Sequence, residues 1–214
     1  MTRLNTQLLD QLADDLTPVQ PLHDRRVHIA LMGLALVGIL LVAATLGVRP
    51  DLLAGVPHPL VLVRAGLLLV LGGVAAATAA AMARPGVGRD GRGWMAALAM
   101  ASVLPAAALA LAVIDPAATF RAIWWPSAMT CLAVSLAAAL GFSIPLVRHL
   151  RRGAPVTPER AGLVTGLAAG SLGVLTYSVH CPSNDIAYIG LWYGLAITIA
   201  TLAARLVVPR LIRW

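Results

Sequence analysis

The sequence predicts an all-α integral membrane protein built as a single bundle of six transmembrane helices. Hydrophobic residues make up 59% of the 214 residues and charged residues only 12%, and the mean hydropathy is +0.85. A soluble domain would need about a quarter of its residues charged to cover its surface. Six apolar runs each approach the roughly 20 residues that cross a bilayer. They lie at 28–48, 60–82, 94–114, 124–147, 161–179 and 188–208, and leave no room for a separate catalytic domain.

The distribution of arginine predicts how these helices are oriented. The net charge is +7, and all 16 basic residues are arginines. Thirteen of the 16 lie before the first run, in the second and fourth connections, or at the end of the chain, whereas Arg49, Arg64 and Arg121 lie on the opposite side. Because arginine-rich connections stay in the cytoplasm, both termini are predicted to be cytoplasmic. The positive charge thus follows membrane topology, and no direct contact with nucleic acid is predicted.

Residues near the ends of the runs are interpreted as contacts with the membrane interface. Arg64 sits just inside the second run, where its side chain can extend outward to water. The predicted aromatic anchors are Trp124, Trp125, Tyr188, Trp192 and Tyr193. No carboxylate or histidine lies well inside a run, which argues against an ion pathway or a proton relay.

Residues 1–27 form the one polar segment of any length and are predicted to contain a cytoplasmic amphipathic helix. Leucines recur every four residues from Leu4 to Leu16, aspartates lie between them, and Pro18 ends the pattern. A helix this short is marginal alone in water, and its acidic polar face is unlike that of helices that lie on lipid. A protein partner is favoured, while packing beneath the bundle remains open. The predicted partner-binding residues are Leu8, Leu9, Leu12, Asp14, Asp15 and Leu16.

Cys131 and Cys181 are the two thiols of the chain, and both fall on the predicted non-cytoplasmic side. Cys131 lies in the fourth run on a stripe of small polar residues with Ser127 and Ser135. Cys181 follows the fifth run in a polar loop, where an exposed unpaired thiol is a liability in an oxidising compartment. A functional couple is therefore favoured over two inert packing residues. His180 is a candidate accessory residue, and Cys131 and Cys181 are candidate ligands for a soft metal ion.

Enzyme chemistry finds little support in the sequence. Ser143 and Ser171 lack the glycine spacing of a nucleophile turn, and there is no phosphate-binding glycine loop or paired-histidine metal motif. A single thiol pair cannot easily pass oxidation onward. The sequence predicts a protein that is not an enzyme and has no resident cofactor. A small six-helix transporter and a thiol-linked membrane redox protein remain as alternatives to a sensor.

Small residues on the fifth run predict close packing between helices. Gly162, Gly166 and Gly170 recur at four-residue spacing, with Gly173 following. Ridges of this kind let the backbones of neighbouring membrane helices approach closely. The fifth run is therefore expected to pack tightly against its neighbours.

Several segments resemble the NrsF family of bacterial membrane anti-sigma factors. They are the run Leu-Leu-Asp-Gln-Leu-Ala-Asp-Asp-Leu-Thr-Pro-Val-Gln-Pro-Leu at 8–22, Arg151-Arg152-Gly153-Ala154-Pro155, His180-Cys181-Pro182 and Leu191-Trp192-Tyr193. The resemblance implies six helices in the bacterial inner membrane and a segment, residues 1–27, that holds an extracytoplasmic-function sigma factor inactive. It also implies that residues 28–214 form a sensor, in which Cys131 and Cys181 respond to heavy-metal or oxidant stress. A soft metal ion would then be a transient inducer.

Overall fold

The computed structural model describes residue 14 and residues 22–84, 93–124 and 126–212, and every regular element in these ranges is helical. Six helices are long and apolar enough to cross a membrane, which confirms the predicted all-α, six-helix class. They are α1 (Asp24–Leu46), α2 (Pro59–Met82), α3 (Gly93–Ile114), α4 (Ala128–Arg152), α5 (Pro158–Ser178) and α6 (Ile186–Leu211). Two short helices, Pro50–Leu53 and Pro116–Ile123, precede α2 and α4.

Helix α5 forms the centre of the bundle. Of its apolar stretch 89% is buried within the protein, against 11% for α1 and 6% for α3. The glycines explain this position, because a Cβ atom at Gly166 would lie 2.6 Å from the Ala200 carbonyl oxygen of α6. At Gly72 of α2 it would lie 2.9 Å from Leu172 of α5. The predicted close packing along the fifth helix is confirmed, and α1 and α3 are left at the periphery.

The two ends of the bundle differ in composition, and we name them accordingly. The arginine-rich end carries a buried cluster of Ala83, Leu150, Ala161, Val208 and Ile212, and the Ala154 amide donates to the Ala83 carbonyl at 3.0 Å. The beginning of α1 and the end of α6 therefore lie at this end. The thiol end is the opposite one, and it carries the connection between α5 and α6. Which end faces the cytoplasm stays a prediction.

Reporter fusions should establish the orientation. We expect alkaline phosphatase to be inactive when fused after residue 155, at the arginine-rich end, and active when fused after residue 184, at the thiol end. The physical reason is the arginine asymmetry, since arginine-rich connections resist translocation. A reporter that fluoresces only in the cytoplasm should give the opposite pattern at the same two positions. Phosphatase activity at residue 155 would contradict the predicted orientation.

The structure corrects three interpretations of the sequence at the thiol end. Cys181 is not exposed, because its side chain is fully buried. Arg64 does not extend outward to water but is buried, with 5% of its surface exposed. Tyr188, Trp192 and Tyr193 are buried among the helices rather than placed at an interface. The three errors are related, because the connection between α5 and α6 is buried within the bundle together with the residues that pack around it.

Candidate functional site

Residues 179–185, which we call the thiol loop, connect α5 to α6 at the thiol end. α5 ends at Ser178, and Asp185 caps the start of α6 by accepting a hydrogen bond from the Ala187 amide at 2.8 Å. Both Cys181 and Ser183 are buried. Buried loop carbonyls need hydrogen-bond partners, because leaving them without one costs free energy. The sources of those partners define the site.

Arg64 of α2 is one source. Its guanidinium donates to the Ser183 carbonyl at 2.8 Å, the Ser178 carbonyl at 3.1 Å and the Cys181 carbonyl at 3.2 Å. The same group lies 5.8 Å from the centre of the Tyr193 ring, so that the ring also stabilises its charge. Charge-assisted hydrogen bonds are about twice as strong as neutral ones. A single side chain therefore bonds the last residue of α5 and two residues of the thiol loop.

Arg49, which follows α1, is the second source. It is buried and donates to the Cys181 carbonyl, and to the Asn184 side-chain oxygen at 3.0 Å. Its guanidinium also bonds both Asp51 oxygens, at 2.9 and 3.0 Å, and so holds the pKa of that carboxyl well below its usual range. We call Arg49 and Arg64 together the arginine clamp. Through this clamp, the Cys181 carbonyl is bonded to α2 and to the segment that follows α1.

Cys131 approaches the thiol loop from α4. Its side chain is fully buried, and it belongs to the same apolar cluster as Cys181. The thiols are not joined by a disulfide. The Cys131 amide donates to the Ser127 carbonyl, which also accepts from the Tyr188 hydroxyl. The Cys181 amide donates to the Tyr177 carbonyl. The structure thus brings the two predicted thiols into one buried region, as free thiols.

Three tyrosines, Tyr177, Tyr188 and Tyr193, surround this region, and each side chain is fully buried. Tyr188 donates a long hydrogen bond of 3.4 Å to the Ser127 carbonyl at the start of α4. The Tyr177 and Tyr193 hydroxyls have no hydrogen-bond partner among the described residues. Unpaired buried hydroxyls cost free energy, so hydrogen bonding among these buried tyrosines is incomplete.

His180 lies beside the thiols but is not placed as a ready-made metal ligand. Its Nδ1 atom lies 3.1 Å from the Gly47 carbonyl oxygen, and its ring meets the Tyr177 ring edge-on at 5.7 Å. Within the described ranges, no group of three or more His, Cys, Asp or Glu residues could hold a metal ion. Binding of a soft metal ion by Cys131 and Cys181 therefore stays a prediction that involves two thiolates.

The predicted partner-binding segment is largely outside the described residues. Asp14 is described, and it is helical and exposed. The other five predicted residues, Leu8, Leu9, Leu12, Asp15 and Leu16, lie outside the described ranges. Their role stays a prediction from the sequence.

Sequence reasoning missed the arginine clamp, although the sequence contained a signal for it. Arg49 and Arg64 are two of the three arginines that depart from the asymmetry of the other thirteen. An ionisable residue within a membrane helix usually faces the interior of the bundle and has a partner. The position of Arg49 and Arg64, away from the other arginines, therefore indicated that each has a hydrogen-bond partner at the thiol end. Those partners are carbonyls of the thiol loop.

Comparison with known proteins identifies the family. The model of the NrsF family, described as negative regulator of sigma F, matches residues 12–214. The chain belongs to the NrsF family. It is 28% identical over 210 residues to the anti-sigma-F factor NrsF of Caulobacter vibrioides (strain NA1000 / CB15N), covering 97% of this chain and 98% of that protein. It is 26% identical over 178 residues to a probable anti-sigma-F factor NrsF of Azospira oryzae, covering 82% of each. No solved structure matches the chain.

Membership of the NrsF family confirms the resemblance read from the sequence. Anti-sigma factors are a regulatory class without enzymatic activity, so the prediction that the protein is not an enzyme is also confirmed. The family supports an anti-sigma role with a sigma factor as partner. It also favours a regulator over the transporter and redox alternatives.

Proposed function

We propose that this NrsF-family protein is an inner-membrane anti-sigma factor controlled by its two thiols. Residues 4–16 would hold an extracytoplasmic-function sigma factor, and reaction of Cys131 and Cys181 with a heavy metal or an oxidant would release it. The family supports the anti-sigma role. One observation supports the link between thiols and release: the Cys181 carbonyl is bonded to Arg49, three residues after the end of α1. α1 is the helix that the N-terminal segment leads into.

The partner-binding step rests on the pattern of the N-terminal segment. The family match begins at residue 12 and so includes Leu12, Asp14, Asp15 and Leu16, while Leu8 and Leu9 precede it. The leucine stripe needs an apolar surface to bury it, and the aspartates favour a basic rim around that surface. The exposed Asp14 is compatible with contact by a partner. A sigma factor that presents such a groove would be held at the membrane.

Two chemical inputs would bring the thiols together. In the first, an oxidant such as a chromate-like oxyanion accepts two electrons, the thiols lose two protons, and a sulfur–sulfur bond forms. In the second, a soft metal ion displaces both thiol protons and binds two thiolates. Cys131 belongs to α4 and Cys181 to the thiol loop. Either input would draw α4 towards the loop and disturb the bonds of the arginine clamp.

Helix α1 is suited to carry this disturbance to the arginine-rich end. Its 23 residues give a rigid rod of about 35 Å at 1.5 Å per residue. Only 11% of its apolar stretch is buried, so few contacts resist its movement. At its far end Asp24 pairs with Arg84 at 2.6 Å. A shift of α1 would break this pair, which lies at the start of α1, where the helix follows the partner-binding segment in the chain.

The energy required is within reach of thiol chemistry. Moving the bound fraction from 99% to 1% requires about 5.5 kcal/mol of differential stabilisation. A disulfide contributes up to about 5 kcal/mol, and thiolate–metal sites contribute about 10 kcal/mol or more. A metal input of that size exceeds the requirement, whereas a disulfide only approaches it.

Serine substitution of both cysteines should make the protein insensitive to stress. The wild-type protein, purified from native membranes, should carry an extracytoplasmic-function sigma factor and lose it after treatment with cadmium or chromate. The Cys131→Ser, Cys181→Ser variant should carry the same sigma factor before and after treatment, because no thiols remain to react. Co-purification followed by mass spectrometry measures both states.

A Ser135→Ala variant is the matched control, since Ser135 lies one turn from Cys131 and is also buried. It should release the sigma factor as the wild type does. Release from the double serine variant would show that the thiols are packing residues. Absence of any sigma factor from untreated wild-type membranes would overturn the anti-sigma proposal itself.

A further inference from the structure

A groove with a basic mouth opens between α1 and α4 at the arginine-rich end. Its volume is about 710 Å³, within the usual range for sites that hold a small molecule. Arg26 of α1 and Arg148 and Arg152 of α4 line the mouth. We call this cavity the arginine groove. It lies at the opposite end of the bundle from the thiols, and the proposed function does not use it.

Within the part of the chain that the structure describes, the three arginines of the mouth have no acidic partner. All three side chains are exposed, and none forms an ion pair with a described residue. No acidic residue is among the described residues that line the groove. The nearby Asp24 is paired with Arg84 at 2.6 Å. Three positive charges with no counterion among the described residues favour an anionic ligand.

Below the mouth, the walls of the groove are apolar and follow two helical faces. Val27, Ala30 and Leu34 line it from α1, and Gly141, Ile144 and Pro145 line it from α4. Leu34 lies two turns beyond Arg26, and Gly141 lies three turns before Arg152. These spacings give a depth of about 12 to 17 Å at 1.5 Å per residue. That depth is close to half of the roughly 30 Å hydrocarbon core of a bilayer.

We infer that the arginine groove binds an anionic phospholipid. The phosphodiester lies among Arg26, Arg148 and Arg152, and one acyl chain follows the apolar walls towards Gly141. The charge of the mouth selects an anionic headgroup, and the depth of the groove matches a chain that occupies one leaflet. The bound lipid would lie between α1 and α4, the helices that the mouth arginines belong to.

Lipid titration in native mass spectrometry tests the charge of the mouth. Purified full-length protein is titrated with dioleoylphosphatidylglycerol or with dioleoylphosphatidylcholine. An arginine near a membrane contributes about fivefold to the binding of anionic lipid, so the wild type should prefer phosphatidylglycerol by roughly 100-fold. The Arg26→Gln, Arg148→Gln, Arg152→Gln variant should lose that preference.

The matched control removes three arginines of the same end that do not line the groove: Arg151→Gln, Arg205→Gln, Arg210→Gln. All three are exposed, and the change in net charge is the same. This variant should keep the preference for phosphatidylglycerol. Equal loss in both triple variants would overturn the inference, because overall charge, rather than the groove, would then attract the lipid.

The apolar part of the groove has its own test. A Cβ atom at Gly141 meets no other atom within 4 Å, so Gly141→Trp fills the groove without displacing protein atoms around the Cβ. It should weaken phosphatidylglycerol binding about tenfold or more, the effect of excluding a few buried methylene groups. Gly73→Trp, at a position that is also open and outside the groove, should bind as the wild type does. Unchanged binding by Gly141→Trp would overturn the inference that an acyl chain lies along the apolar walls of the groove.

Crosslinking identifies the occupant directly. A photoreactive benzoylphenylalanine in place of Ile144 should form an adduct with a phospholipid in native membranes. A crosslink to residues 1–20 of the same chain, or to a second copy of the chain, would identify a protein occupant and overturn the inference.

Discussion

Replacing Leu8 and Leu12 with aspartate should abolish co-purification of the sigma factor. The two residues lie one helical turn apart on the predicted leucine stripe. Each leucine buried against a partner contributes about 2 kcal/mol, so losing both weakens binding roughly a thousandfold before the cost of burying charge is added. The measurement is the amount of sigma factor recovered with the protein from native membranes, relative to the wild type.

The matched control places the same charges beside the leucine stripe rather than on it. Gln7 and Gln11 are also one turn apart, and they lie between the leucines. The Gln7→Asp, Gln11→Asp variant should keep the sigma factor, because its leucine stripe is intact. Retention by the leucine variant would contradict the assignment of residues 4–16. Loss in both variants would show that added negative charge alone prevents binding.

The general fold was predictable because its causes act locally along the chain. Helix number follows from the length of each apolar run, since a membrane helix must satisfy its own backbone hydrogen bonds. The central position of α5 follows from its glycines, because their missing side chains admit a neighbouring backbone at Gly166. Both features can be read without knowing which helices meet.

The arginine clamp was not predictable in the same way, because its bonds join distant residues. Arg64 bonds carbonyls that lie 114 to 119 positions further along the chain. Carbonyls are present at every residue, so nothing in the sequence distinguishes those of Ser178, Cys181 and Ser183. The same difficulty explains the error at Cys181. A polar loop after a membrane helix is usually in water, and this one is buried because two guanidinium groups replace that water.

The clamp makes Arg64 the residue whose loss should most affect the thiol end. Arg64→Leu removes the donor to the Ser178 and Ser183 carbonyls, while the Cys181 carbonyl keeps its bond from Arg49. Each buried group that is left without its hydrogen bond costs about 1 to 3 kcal/mol. The total of about 2 kcal/mol or more should favour opening of the thiol loop by at least roughly 30-fold. In a Cys131→Ala background, Cys181 should then react rapidly with a maleimide in membranes, whereas the buried wild-type thiol should react slowly.

Arg121→Leu is the matched control for this substitution. Arg121 is the third arginine that departs from the asymmetry of the others, and its side chain is exposed, so its loss removes the same charge without opening the thiol loop. Its labelling should equal that of the parent protein. The labelling rate of Arg64→Lys should fall between those of Arg121→Leu and Arg64→Leu, since an ammonium group lacks the planar fork of donors that reaches several carbonyls.

If Arg64→Leu reaches normal membrane abundance and Cys181 still labels slowly, the arginine clamp does not hold the loop closed. If labelling is fast and the sigma factor is released without stress, opening of the thiol loop is sufficient to produce the output.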